Sequence, residues 1–235
     1  MYSKLQKLIA EFIGTFALVF FSAGAICADQ YLRTSSNGQS GLSLLGIALA
    51  YGLTVGIMVS SLGHISGGHF NPAISVGFWV TRKLSTLDTL TYVTVQLAGA
   101  VAAAYLLRQL PIDVWGPVQL GTPDLASGIT RTGGMIFEAV MTFFLVLVFF
   151  ATVVDERGAW SKVAGFAIGL TVTAAALFGE PFTGAALNPA RAFGPALAAN
   201  RWNNHGIYWI GPLAGGIVAG WLYDMLFLKK KIASL

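Results

Sequence analysis

Apolar residues in this chain fall in long runs, at about residues 8–28, 42–62, 88–108, 132–154, 162–178 and 206–228. Polar and turn-forming residues gather in the gaps between them. Roughly 20 helical residues cross the hydrocarbon core of a bilayer, so each run predicts a transmembrane helix, the fifth at the short limit. The pattern is that of an all-α membrane protein with six transmembrane helices, and six crossings place both termini on one side.

Two further apolar stretches are too short to cross. His69-Phe70-Asn71-Pro72-Ala73 and Ala186-Leu187-Asn188-Pro189-Ala190 each read as the start of a short helix. Asn is a preferred N-cap, and Pro suits the first turn because its missing N–H would be unpaired there anyway. From Asn71 to Thr81 a helix would be roughly 15 Å long, about half the hydrocarbon thickness; Asn188 to Ala199 is similar. Both therefore predict half-helices that begin near the midplane. The preceding His64-Ile65-Ser66-Gly67-Gly68 and Pro181-Phe182-Thr183-Gly184-Ala185 read as irregular approaches. Such backbone is tolerated at membrane depth only where it is buried in protein or lines a wet cavity.

The pattern also repeats. Glu11, Thr15, Phe16 and Leu18 match Glu138, Thr142, Phe143 and Leu145 at an offset of 127. Gly52-Leu53-Thr54-Val55 matches Gly169-Leu170-Thr171-Val172 at 117, as Asn71-Pro72-Ala73 matches Asn188-Pro189-Ala190. Leu97-Ala98-Gly99 matches Leu213-Ala214-Gly215 at 116. One membrane domain spanning 1–235 is expected, with a first repeat at about 5–108, a linker at about 109–130 and a second at about 131–228. Three crossings per half is an odd number, so the second half is inverted, which puts a functional site near the midplane between the halves. Pro111, Pro117 and Pro123 argue against a helix in the linker. Gly52, Gly169, Gly99 and Gly215 are expected at close crossings between the halves.

Composition narrows the choice further. The 235 residues are 55% hydrophobic and only 10% charged, against about 25% charged in a typical soluble domain. The net charge of +4 does not point to nucleic acid, because the basic residues are scattered over loops and ends. Cys27 is the single cysteine, which excludes an intrachain disulfide and a cysteine-rich metal site. The histidines lack neighbouring Cys or carboxylate partners, so neither a metal nor a cofactor is expected, and no nucleophile–base pair suggests an enzyme. Lys4 and Lys7 before an apolar run resemble a secretory signal, with Cys27 hinting at a lipoprotein, but Ile26 and Glu11 fit that poorly and a retained first helix is expected. Lys4, Lys7, Arg82, Lys83, Arg157, Lys162, Lys229, Lys230 and Lys231 fall on one side and Arg33, Arg108, Arg131 and Arg201 on the other. That bias predicts cytoplasmic termini.

The candidate chemistry follows from the two half-helices. A capping Asn accepts a backbone N–H and leaves its amide nitrogen as a two-hydrogen donor. Asn71 and Asn188 would aim these donors at one point, where two positive helix ends also meet. Carbonyls near Gly67, Gly68, His69, Gly184, Ala185 and Ala186 would line the path, while His64 is structural. Arg191, inside a membrane segment, is a functional candidate by default. Glu11 and Glu138 read either as a proton relay or as a repeated brace for loop N–H groups; the need of buried polar groups for partners favours the brace.

Two Asn-Pro-Ala boxes in an inverted repeat, the run Gly63-His64-Ile65-Ser66-Gly67-Gly68-His69-Phe70-Asn71-Pro72-Ala73, and Asn188-Pro189-Ala190-Arg191 resemble the aquaporins, or major intrinsic proteins, over about residues 5–228. The resemblance implies an aquaporin-like right-handed bundle with two re-entrant half-helices, one pore per subunit and a homotetramer in the lipid bilayer. Short termini give it a prokaryotic cast and a plasma-membrane location, the inner membrane in a Gram-negative bacterium. It implies an outer filter of Tyr51, Ala176, Ala185 and Arg191. Water-selective members usually carry Phe at the first position and His at the second, so Ala176 is a departure. Glycerol facilitators carry Asp after the second Asn-Pro-Ala-Arg and a basic residue four further on, where this chain has Ala192 and Ala196; Tyr208-Trp209 resembles the aromatic pair of water channels. The expected substrate is water, with glycerol, urea, ammonia or hydrogen peroxide as the broader alternative. A gradient-driven transporter and a membrane scaffold are the remote ones.

Overall fold

The computed structural model describes residues 2–157 and 163–228. Its helices are α1 (Lys4–Ser35), α2 (Ser43–Ser66), α3 (Pro72–Val80), α4 (Thr86–Leu107), a single turn α5 (Ile112–Trp115), α6 (Arg131–Phe149), α7 (Ala164–Thr183), α8 (Pro189–Ala199) and α9 (Ile207–Tyr223). The described residues contain no strand. Helices α6 and α9 each run on into a π-helical turn, Phe150–Val154 and Asp224–Leu228. With those extensions, six helices are long and apolar enough to span a membrane. Large apolar side chains such as Phe21, Leu53, Phe144, Phe166 and Trp221 are exposed around the bundle, as a lipid-facing surface requires. Lys162, Lys229, Lys230 and Lys231, used above in the charge count, lie outside the described residues.

Helix α1 packs on α2 and α4, and its repeat counterpart α6 packs on α7 and α9, while α2 and α7 join the halves. The short helices cross over: α3 packs mainly on α9, and α8 mainly on α4. Each half-helix is therefore seated against the last long helix of the other half.

Close contacts replace the hydrophobic driving force that water would supply between helices. A Cβ on Gly99 would stand 2.5 Å from the Phe12 carbonyl, and one on Gly215 would meet the Ala139 carbonyl. Phe12 and Ala139 are themselves 127 apart, the offset of the first repeated block. These two glycines thus mark crossings within each half, not between halves as the sequence suggested. Gly52 and Gly169 are the ones that face each other across α2 and α7. Gly99→Leu is expected to push α4 off α1 and lower the detergent-solubilised melting temperature by several degrees, about 1–3 kcal/mol of overpacking. An unchanged melting curve would show that the crossing relaxes freely.

Three sequence expectations need correction. His64, Ile65 and Ser66 form the last turn of α2, and Pro181, Phe182 and Thr183 that of α7. The helices end at Gly67 and Gly184, whose φ angles of 98° and 76° are left-handed, and whose N–H groups donate to the carbonyls of Gly63 and Glu180. Glycine terminates a helix in this way without a Cβ penalty. Pro181 is accommodated in the final turn, where its missing N–H removes a single helical bond. The linker is not wholly irregular either: Pro111 stands at the N-cap of α5, and Gln119–Gly121 makes a 3₁₀ turn with φ near 50°, 55° and 64°.

Candidate functional site

Both half-helices start as their residues dictate. Asn71 and Asn188 have extended backbone and cap their own helices: Asn71 Oδ1 accepts from Ala73 N at 2.8 Å, and Asn188 Oδ1 from Ala190 N at 2.9 Å and Arg191 N at 3.3 Å. Pro72 and Pro189 occupy the first helical positions, and Ala73 and Ala190 are fully buried behind them.

The two caps are also stitched to each other's loops. Asn71 Nδ2 donates to the Leu187 carbonyl at 3.0 Å, and Asn188 Nδ2 donates to the Phe70 carbonyl at 2.9 Å. The expectation of two free amide hydrogens per Asn is thereby corrected to one. An amide NH₂ has two hydrogens; the first locks the loops together and the second remains.

Glu11 and Glu138 are both 0% exposed. Glu11 accepts from the Ser66 hydroxyl (2.6 Å), His69 N (3.0 Å), Phe70 N (2.7 Å) and Gln96 Nε2 (2.8 Å). Glu138 accepts from the Thr183 hydroxyl (2.6 Å), Ala186 N (3.0 Å) and Leu187 N (2.8 Å). Each carboxylate holds the loop that leads into one half-helix. Phe70, Ala185 and Leu187 are kept in left-handed backbone there, with φ of 48°, 38° and 53°. Non-glycine residues adopt such φ at a cost that surrounding contacts must offset.

A narrow cavity on the scale of one water runs past the two Asn side chains. Its lining combines apolar residues such as Val55, Ile74, Phe149, Ile168 and Val172 with Gly68, His69, Asn71 and Asn188. His69 Nδ1 lies 3.0 Å from the Ser75 hydroxyl, and its ring packs at 4.4 Å on Phe78. A much larger groove between α1, α2 and α4 is lined almost wholly by apolar residues, including the exposed Phe21 and Tyr31, and offers the Asn pair no path.

Arg191 lies beside Tyr51, which lines the narrow cavity. It is 1% exposed, and its Nη1 donates to the Gly121 carbonyl at 2.6 Å while its Nε has no partner. Its guanidinium carbon is 6.0 Å from the centre of the Tyr51 ring, whose hydroxyl donates to the Ala186 carbonyl at 2.7 Å. Ala176 and Ala185 are buried, and Ala185 lies against Gly179 one turn along from Ala176. Gly67 and Gly184 serve as helix caps. His64 is exposed beside Tyr2.

Several supporting residues escaped the sequence reading. Tyr92 and Tyr208, 116 apart, donate their hydroxyls to the carbonyls of Ser66 and Thr183, each at 2.8 Å. That offset was the available signal. Gly121 supplies the partner of Arg191 from a linker that looked like a spacer. Among the described residues, no group of three or more His, Cys, Asp or Glu side chains could hold a metal.

Two half-helix ends that meet beside a narrow cavity, inside a bundle of six helices long enough to span a membrane, are the architecture of a membrane channel. The major intrinsic protein family model matches residues 1–223, and the chain belongs to that family. It is 41% identical over 227 residues to Aquaporin TIP4-4 of Zea mays, covering 96% of this chain and 88% of that one. It is 38% identical to Nodulin-26 of Glycine max, covering 97% and 80%. In three dimensions it is similar to the aquaglyceroporin from Plasmodium falciparum, with a TM-score of 0.82 at 24% identity, over 95% of this chain and 97% of that one.

Proposed function

We propose that the chain is a passive, proton-excluding water channel. The observation that carries this reading is the reciprocal Asn pair: each Asn is oriented by its cap and by the opposite loop, leaving one amide hydrogen for a passing molecule. A water held there as acceptor points its own hydrogens outward, and the two positive helix ends repel cations, so a proton is not handed on. Tyr51, Ala176, Ala185 and Arg191 form the narrow filter, and Gly67, Gly68, His69, Gly184 and Ala186 contribute backbone along the path. Glu11 and Glu138 brace the two loops of an inverted repeat.

Both termini face the cytoplasm of a cell membrane. Lys4, Lys83 and Arg157 support this, since they meet at one end of the bundle through Asp88, Asp224 and the Phe227 carbonyl. The working assembly is a homotetramer with one pore per subunit. Stopped-flow light scattering on proteoliposomes tests the reading; water permeability no higher than in protein-free liposomes would sink it.

A second reading, passage of small neutral solutes, is favoured by the two small side chains at Ala176 and Ala185. Ala176→His is expected to narrow the filter and lower glycerol flux by about tenfold, equivalent to about 1.4 kcal/mol of barrier. Unaltered glycerol flux would mean that Ala176 does not line the path.

A further inference from the structure

The two loops are braced alike, but the first carries an extra polar arm. Beyond Ser66 and two backbone N–H groups, Glu11 accepts from Gln96, whereas Glu138 has only Thr183 and two backbone N–H groups. From Gln96 the arm continues. Its Nε2 also donates to the Ser75 hydroxyl at 3.1 Å, and that hydroxyl lies 3.0 Å from His69 Nδ1. At the repeat offsets, Gln96, Ser75 and His69 correspond to Pro212, Ala192 and Ala186. The second loop is thus held with no such arm, so bracing does not require one. What the first half alone has is an imidazole on the passage, because His69 lines the narrow cavity.

The hydrogen bonds set the direction of the arm. Glu11 takes four donors, so the amide nitrogen of Gln96 faces it, and both hydrogens of that nitrogen are used, on Glu11 and on Ser75. The amide oxygen is left buried without a partner, a cost tolerated for those two donors. Ser75 already accepts from Gln96, and among the described residues its own hydrogen has His69 Nδ1 as partner. Nδ1 is then an acceptor, and a neutral imidazole carries its hydrogen on Nε2. Phe78, Tyr92 and Phe149 pack around the ring and hold its place, but they are blind to which nitrogen is protonated. Among the described residues, Ser22 Oγ, Gln96 Oε1 and Arg191 Nε are sealed without a partner; His69 Nε2, also unpaired, keeps contact with open space.

We infer that Gln96 and Ser75 are positioning residues for water passage, setting the His69 tautomer so that an Nε2–H rather than a lone pair faces the water. This rests on the channel reading above and adds residues to it. A water in a narrow passage gives up neighbours and needs replacements. Asn71 and Asn188 each offer one amide hydrogen, and the Nε2–H is a third donor along the same cavity. Donors alone on this stretch keep each water an acceptor, with its hydrogens pointing away. A lone pair there would take a hydrogen from the water and turn it round.

The test reads the ring directly. Solid-state nitrogen NMR of protein with isotope-labelled histidine, in liposomes, separates protonated from bare ring nitrogens. A His69→Ala difference spectrum assigns the signals among His64, His69 and His205. Wild-type protein is expected to show His69 with a bare Nδ1 and a protonated Nε2. Ser75→Ala and Gln96→Leu are each expected to give mixed tautomers and a water permeability about fivefold lower, the net worth of one neutral hydrogen bond. Ser75→Thr keeps the hydroxyl and should match wild type in both. Melting temperatures in detergent check the fold; a purely bracing Gln96 would lower them and leave the ring signals unmoved. A protonated Nδ1 in wild type, ring signals in both Ser75→Ala and Gln96→Leu identical to wild type, or mixed tautomers with unchanged water permeability overturns the proposal. Wild-type protein that passes no water fails the channel reading instead, while the ring signals still decide the tautomer.

Discussion

Arg191→Val admits a measurable proton current and raises glycerol permeability by about tenfold, or about 1.4 kcal/mol off the barrier. Two effects combine. In the proposed filter the buried guanidinium is the fixed positive charge, and such a charge repels cations far more strongly away from bulk water than in it. Its side chain also fills the space between the Tyr51 ring and the Gly121 carbonyl. The half-helix should survive the change, because Asn188 caps it through the backbone N–H groups of residues 190 and 191. Leaving the Gly121 carbonyl unpaired costs about 1–3 kcal/mol, which a multi-helix bundle can absorb. Liposomes loaded with a pH-sensitive dye and held at a potassium diffusion potential read the proton leak. Proton-tight vesicles with unaltered glycerol flux would remove Arg191 from the filter.

The second large effect is on assembly. Glu138→Ala should yield little monodisperse protein. It strips partners from the Thr183 hydroxyl and from two backbone N–H groups, all at a site with no exposure to solvent. At about 1–3 kcal/mol for each orphaned group, the sum is comparable to a typical domain's whole stability. Glu11→Ala should behave alike, with Ser66, His69, Phe70 and Gln96 losing their acceptor. Glu138→Gln retains an acceptor oxygen and should lie between. Size-exclusion profiles and melting temperatures in detergent measure the series. A Glu138→Ala protein that melts like wild type would mean that the Asn pair, Tyr51 and Tyr208 hold the loop without the carboxylate.

The spanning helices and the two half-helices were legible because lipid enforces long apolar runs and because Asn-Pro is an unusual pair to find within them. The Asn-Pro-Ala boxes also fixed where the loops meet. What escaped depends on contacts between distant residues. Gly121 looked like part of a proline-rich spacer, yet its left-handed turn delivers a carbonyl to a residue 70 positions on. Glu180 was misplaced for a local reason. The apolar run reads as 162–178 and Pro181–Ala185 as an irregular approach, which leaves Glu180 outside the helix. Only when the helix runs to Thr183 does Glu180 share a face with Ala176. The single free hydrogen on each Asn was equally invisible, since its sibling is spent on a carbonyl from the opposite half.

That exchange has a bearing on how the protein is made. The Phe70 carbonyl is paired by Asn188, 118 residues later in the chain. While the first three long helices are leaving the ribosome, the loop before α3 has neither that donor nor the Leu187 acceptor for Asn71. Nor does α3 yet have α9 to rest on. The first re-entrant loop already has Glu11 and Tyr92 to hold it, but it cannot complete its two bonds to the second half until residue 188 is made. A chain that stalls before residue 188 leaves the Phe70 carbonyl without its donor at membrane depth, a cost of about 1–3 kcal/mol.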